Sequence, residues 1–240
     1  MSTLIVYPDA NPESTSVDGS IDISSQATFA DARNATTGGS FSDSATTIYI
    51  GVGRGGGGGY SLNRAILLFD TSTLGSGITV TGATLSLWID STNDSVNDGN
   101  DYASIVASNP ASNTGLSTAD FDAFTGTDDA NPLTSGVAMK EMHDSGERKD
   151  FTGMATGAYL DWTLNSTGIA AINKTGITKF GVACGNDVTN TNYTGGLSTD
   201  NGMTFQSAEN ASRTAHAPKL TITYTTSSAL SNKLALLGVG

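Results

Sequence analysis

Short stretches in which apolar and polar residues alternate recur along the chain, separated by clusters of Gly, Asn, Asp and Ser. In "ATLSLWI", Leu85, Leu87 and Ile89 alternate with Thr84, Ser86 and Trp88. In "KLTITYT", Leu220, Ile222 and Tyr224 alternate with Lys219, Thr221 and Thr223. Successive side chains of a strand point to opposite faces, so this period predicts strands with one buried and one wet face. Further strand-like stretches are "TLIVYP", "TTIYIGV", "RAILLFD", "ITVTGATLSLWID", "YASIVAS", "AYLDWTL", "KFGVACG" and "GMTFQSA". No long amphipathic helix separates them, which favours antiparallel connections. The predicted class is all-β: an antiparallel jelly-roll-like β-sandwich with one or two short connector helices. One helix is predicted in "STADFDAF", where Ser117 and Asp120 form a capping-box variant, and one in "NSTGIAAINKTG", with Gly176 as its stop.

One stretch breaks the alternation. From Arg64 to Asp70, "RAILLFD" has almost no polar residue between its two charges. A strand with a wet face should alternate, so both faces of this one are expected to be covered. Ala65, Leu67 and Phe69 are expected in the core, and Ile66 and Leu68 are expected to meet a second chain or a covering loop. Burying those two side chains stabilises by roughly 3–5 kcal/mol, enough to matter in an assembly.

Composition narrows the class. The chain has 240 residues, with 29 Gly and only 14% charged residues. That mix is poor in helix formers and rich in turn and strand formers. One sandwich is expected over residues 1–226, followed by an apolar tail over 227–240 in which Leu230, Leu234 and Leu237 sit at helical spacing. Such a tail reads as an assembly arm seeking another surface. The formal net charge of −12 repels phosphate backbones, and no Lys/Arg cluster reverses the sign locally, so nucleic acid is not an expected partner. A membrane is not expected either, since no apolar run approaches the ~20 residues of a spanning helix. The N-terminus lacks the basic and apolar regions of a secretory signal. The single Cys184 excludes an internal disulfide framework and reads as a small buried hydrophobe.

Chemistry-bearing motifs are sparse. "GVGRGGGGGYSLN" contains the spacing G-x-G-x-x-G at Gly51, Gly53 and Gly56, but a strand follows instead of the helix that would hold a pyrophosphate. A glycine-rich connection between two strands is the favoured reading. His143 and His216 are isolated in sequence, without a G-x-S-x-G or H-E-x-x-H pattern, so no enzymatic activity is expected. No cofactor is required by any motif, with calcium the one ion worth considering. "NDSVNDGND" offers Asp94, Asp98 and Asp101, and "DANPESTSVDG" offers Asp9, Asn11, Glu13 and Asp18, although neither has the twelve-residue calcium-loop spacing. Solvated acidic turns are the plainer reading of both. A pyranose ring stacks on exposed aromatics, which makes Trp88, Trp162 and Tyr193, with Tyr60 and Tyr102, candidates for a glycan platform or for a packed layer.

At "RAILLFDTSTLGSGITVTGATLSLWI" the chain resembles the disaggregatase-related DNRLRE-type domain, a β-sandwich similar to jelly-roll carbohydrate-binding modules. The positions that carry the resemblance are Arg64, Phe69, Asp70, Leu74 and Ala83 to Ile89. "LDWTLNSTGIAAINKTGITKFGV" resembles the family's helix-and-strand unit, and "APKLTITYT" its closing strand. The family usually has a polar residue where Leu68 stands. The resemblance covers Ile48 to Thr225 and implies a sandwich fold and a module that often accompanies enzymes or anchors. A stand-alone sandwich of this kind is also similar to accessory proteins of tailed bacteriophage particles, made in the host cytoplasm and released by lysis. The leading expectation is therefore a non-catalytic structural protein of a virion or similar surface assembly, of head-decoration or fibre type. It would contact itself or a capsid protein through Ile66, Leu68, Leu230, Leu234 and Leu237. The alternative is a carbohydrate-binding module, extracellular or at the cell surface, that uses Trp88, Trp162 and Tyr193.

Overall fold

The computed structural model describes residues 1–226, and the tail leucines Leu230, Leu234 and Leu237 lie outside the described residues. The strands are β1 (Ser2–Val6), β2 (Asp18–Gln26), β3 (Ser40–Ser42), β4 (Thr47–Arg54), β5 (Tyr60–Asp70), β6 (Ile78–Asp94), β7 (Tyr102–Ala107), β8 (Lys149–Asp150), β9 (Ala158–Thr163), β10 (Ile177–Cys184), β11 (Thr199–Gln206) and β12 (Lys219–Thr226). One-turn helices α1 (Phe29–Arg33), α2 (Ser166–Ala170), α3 (Gly185–Thr189) and α4 (Arg213–His216) lie between them. The fold is all-β and sandwich-like, as the patterning predicts.

Every ladder is antiparallel, and the sheet runs β1-β12-β6-β11-β4-β5-β10-β7-β8. Two long strands curl it. β6 pairs with β12 over its first half and with β11 over its second, while β9 lies along Thr84–Ile89. β5 pairs with β4 near its start and with β10 near its end, and β2 accompanies it from Tyr60 to Leu67. A strand that changes partners midway lets one continuous sheet fold over a single core.

Alternation fixes which side chains enter that core. Leu85, Leu87 and Ile89 are fully buried and Trp88 is half-buried on the opposite face, in agreement with the pattern. Leu220 and Ile222 of β12 are likewise buried. The two predicted helical turns are present. Ser117 and Asp120 make a reciprocal capping box at a 3-10 turn, and the Asn165 side chain accepts from Gly168 N at the start of α2. α1 opens on a second capping box, from Thr28 and Asp31.

The unbroken apolar run of β5 has both faces covered by the chain itself. Arg64, Ala65, Ile66, Leu67, Leu68 and Phe69 are all 0% exposed. Ile66 stands opposite Gly181 of β10 on one side and Gly19 of β2 on the other. The ring of Phe124 packs on Gly181 and Leu116 packs on Gly19, so closely that neither glycine has room for a Cβ. Ile66 therefore lies under a layer supplied by residues 116–124, and Ile66 and Leu68 are both core residues. They are not contacts for a second chain, because no surface of either is left to offer.

This covering layer is anchored by charge. The Arg64 guanidinium makes a two-pronged contact with Asp187, with Nε 2.7 Å from Oδ2 and Nη2 2.8 Å from Oδ1. Its remaining donors reach the carbonyls of Phe121 and Arg33, and its plane lies 4.1 Å from the centroid of the Phe121 ring. Arg33 adds a second guanidinium, with Nε 3.4 Å from Asp187 Oδ1 and hydrogen bonds to the carbonyls of Asp187 and Val137. Burial pushes the Arg33 pKa down, Asp187 raises it in part, and Arg64 lowers it again. All three side chains are fully buried in the ion pairs. Removing the one carboxylate leaves two buried cations uncompensated. Asp187→Ala is expected to cost about 3–5 kcal/mol in urea unfolding, and Arg33→Met distinctly less, because the Arg64–Asp187 pair stays neutral. Equal losses for the two variants would contradict this assignment.

Candidate functional site

The structure scatters the aromatic candidates. Trp162 is fully buried and Tyr193 is 2% exposed, so neither presents a ring to a sugar. Trp162 points inward because β9 alternates and its position falls on the core side, with Leu164. Trp88 does face outward, but His216 stacks on it with centroids 3.9 Å apart and Tyr159 meets it edge-on at 5.4 Å. One face of its ring is thus already taken by the chain. Tyr102 is buried under the Arg148 guanidinium.

The acidic candidates behave differently from one another. Asp9 organises the turn before β2: its Oδ2 accepts from the backbone and hydroxyls of Ser14 and Thr15 and from Ser16 N. Burial opposes ionisation there, yet the donors from Ser14 and Thr15 lower its pKa to about 2. Asp18 is fully buried, and its Oδ2 accepts from Ala208 N. Asp98 turns to Asn100 N and Thr194 Oγ1. Asp94 and Asp101 come together at the ends of β6 and β7, and Asp98 does not join them.

Sequence distance concealed one further constellation. Ser104, His143 and Glu141 converge, with Ser104 Oγ 2.9 Å from His143 Nε2 and 2.7 Å from Glu141 Oε1. These are residue types used in nucleophilic catalysis. Here Nε2 also accepts from Ile105 N and Nδ1 faces the carbonyl of Asp144, which fixes the Nδ1–H tautomer. Ser104 is 0% and His143 2% exposed, so no substrate reaches the hydroxyl. The group braces β7 against the segment 141–143, and Arg148 closes it through a two-pronged pair with Glu141.

Of several open clefts among the described residues, two adjoin one another along β4, β5 and β11. Gly55–Gly59 form the tip of the β4–β5 hairpin, closed by a bond from Gly55 N to Gly59 O. Gly58 sits at φ +89°, which favours glycine. The glycine run is therefore a hairpin connection, and the next element is a strand. Arg54 lies across this tip, with Nε donating to Gly58 O and its guanidinium 5.3 Å from the centroid of the Tyr60 ring. On one side a shallow cleft of about 670 Å³ is lined by Ser24, Ser25, Gln26, Arg54, Ser61 and the hairpin glycines. On the other, a cleft of about 270 Å³ is lined by Tyr49, Arg54, Ser61, Asn63, Ser198, Thr199 and Asp200. The two share Arg54, Gly55 and Ser61, so they adjoin at the base of the hairpin, and the pair is called the trough.

Local sequence shapes this trough. Gly51 of β4 and Gly202 of β11 face each other in register, and the Tyr49 ring lies over both, where a Cβ on either would collide with it. Tyr49 Oη donates to Asp200 Oδ2 at 2.9 Å, and Asn93 holds the other oxygen. Burial raises the Tyr49 pKa and the Asp200 carboxylate raises it further, so the phenol stays a donor. The result is a hydroxyl- and amide-rich floor with one cation and one carboxylate. The glycine-rich stretch was the part of this surface with a sequence signal, read as a connection between two strands, whereas the candidate aromatic Tyr60 lines neither cleft. Tyr49 and Asp200 are 151 residues apart, and no linear pattern links them.

Neither a scan of protein-family models nor a search of curated proteins finds a match for this chain.

The His143 assignment is testable, because the chain has only two histidines. Burial lowers the His143 pKa, outweighing its contact with the Asp144 carbonyl. Nitrogen-detected NMR is expected to show a neutral Nδ1–H ring that stays neutral below pH 6.5. A folded pKa below the unfolded one contributes stability above pH 6.5 that is lost as pH falls toward the folded value. A protonated His143 at pH 6.5 and above in the folded state would contradict the assignment.

Proposed function

We propose that this protein is a non-catalytic recognition module that holds a polyhydroxylated chain, a glycan, in the trough along β4 and β5. The observation that carries this reading is the pair of adjoining open clefts that share Arg54, Gly55 and Ser61 and are lined by hydroxyls, amides and backbone. Sugars are recognised by convergent donors and acceptors on a shallow surface, and this lining supplies both kinds without a large apolar pocket. The likeness of Arg64–Asp70 and Ala83–Ile89 to DNRLRE-type modules supports the same reading. Such a module suits display on a virion or a cell surface, where a non-catalytic sandwich serves attachment. This trough replaces Trp162 and Tyr193 as the glycan contact, since those two side chains are buried.

A second reading, self-association within such an assembly, is favoured by β1. It is the outermost strand of the sheet path, and among the described residues no strand pairs with its outer edge. It carries no charged residue, and Ile5 on it is 49% exposed. An unprotected edge of this kind is a template for a further strand. Solution mass by light scattering decides this: the second reading expects a dimer or larger species, and a monomer at tens of micromolar removes it.

The glycan reading predicts binding on a polysaccharide panel that is lost when the trough is filled. Gly57 lines the larger cleft, and a Cβ there meets nothing within 4 Å. Gly57→Trp is expected to leave the unfolding midpoint unchanged and to weaken binding roughly tenfold or more, about 1.4 kcal/mol. Absence of binding by the unaltered protein to every glycan tested, or binding unaffected by Gly57→Trp, would overturn the reading.

A further inference from the structure

Three carboxylates from separate segments meet at the ends of β6, β7 and β8. Asp94 closes β6, Asp101 immediately precedes β7, and Asp150 lies in β8 opposite Tyr102. Each offers an oxygen, and these oxygens all lie within 4.8 Å of one another. Among the described residues no lysine, arginine or histidine pairs with any of the three.

Proximity alone is common among surface acids. What distinguishes this cluster is burial without satisfaction. Asp101 is only 2% exposed, and although its Oδ1 accepts from Gly99 N, its Oδ2 is buried with no hydrogen-bond partner. Asp94 Oδ1 is likewise buried and unpartnered, while its Oδ2 accepts from Thr152 Oγ1. Asp150 Oδ1 accepts from Thr152 N. A buried carboxylate oxygen without a donor costs free energy, and two of them beside a third carboxylate add like-charge repulsion.

We propose that Asp94, Asp101 and Asp150 bind a divalent cation, calcium, which satisfies the orphaned oxygens and ties the ends of β6, β7 and β8 together. Calcium takes six to eight oxygens at about 2.3–2.6 Å in flexible geometry, so oxygens on one ion lie up to about 5 Å apart. The observed spacing falls within that sphere, with water completing the shell. Asp98 belongs to the same loop by sequence but spends its carboxylate on Asn100 N and Thr194, and Asp150 takes the place it was expected to fill. The proposal is independent of the glycan trough.

The test is thermal unfolding and calorimetric titration of the full chain, first stripped with chelator, using calcium chloride alone as the probe. Calcium at a hundredfold excess over its Kd is expected to raise Tm by roughly 5–10 °C. Asp150→Asn alters an exposed position and is expected to fold and to lose the response. Asp101→Asn, at the buried position, is expected to lose it too, and Asp98→Asn to keep it. Absence of binding by the unaltered chain at millimolar calcium, or a full response in folded Asp150→Asn, would overturn the site.

Discussion

The Arg64–Asp187 pair is the constraint on which the rest of this structure depends. A guanidinium in the middle of a central strand, with no exposure, is tolerable only if each nitrogen is hydrogen-bonded and its charge is met. Asp187 meets the charge, and the carbonyls of Phe121 and Arg33 take the remaining donors. Each partner comes from a different covering segment, so satisfying one side chain locates α1, the turn at Thr118–Asp122 and α3 against β5. Arg33 then adds a second positive charge around the same carboxylate, and one of its nitrogens, Nη1, has no partner.

From this anchor the apolar character of β5 follows. Once residues 116–124 are held over the Arg64 face, Ile66 can be as apolar as Ala65, Leu67 and Phe69 on the other. A strand buried on both faces and paired on both edges is a rigid spine. The β4–β5 hairpin extends from it and carries Arg54 and Ser61 into the open trough. The proposed recognition surface is thus built on the best-supported strand, while the glycine tip projects into solvent.

Much of the sheet was legible in the sequence because a half-buried antiparallel strand must alternate. β6 and β12 announced themselves that way, and the continuous run of β5 correctly signalled two covered faces. β2 was illegible: "DGSIDISSQ" places Ile21 and Ile23 among small polar residues and reads as a turn. α1 went unread, because one turn leaves no period to detect and its capping pair, Thr28 and Asp31, is recognised only in the structure. The identity of the covering layer was beyond linear reading, since the partners of Arg64 lie 31, 57 and 123 residues away. The same holds for Ser104 with His143 and for Tyr49 with Asp200. Trp162 could have been placed inside from the alternation of β9, whereas Tyr193 sits in an irregular segment where no period applies.

The central claim is that a charge-anchored layer of the chain itself seals β5, and native-state hydrogen exchange tests it most directly. The account predicts that the amides of Ile66, Leu67 and Leu68 and those of the 118–123 turn exchange only with global unfolding, at one common free energy. Rapid exchange of the turn by local opening, with β5 still protected, would contradict it.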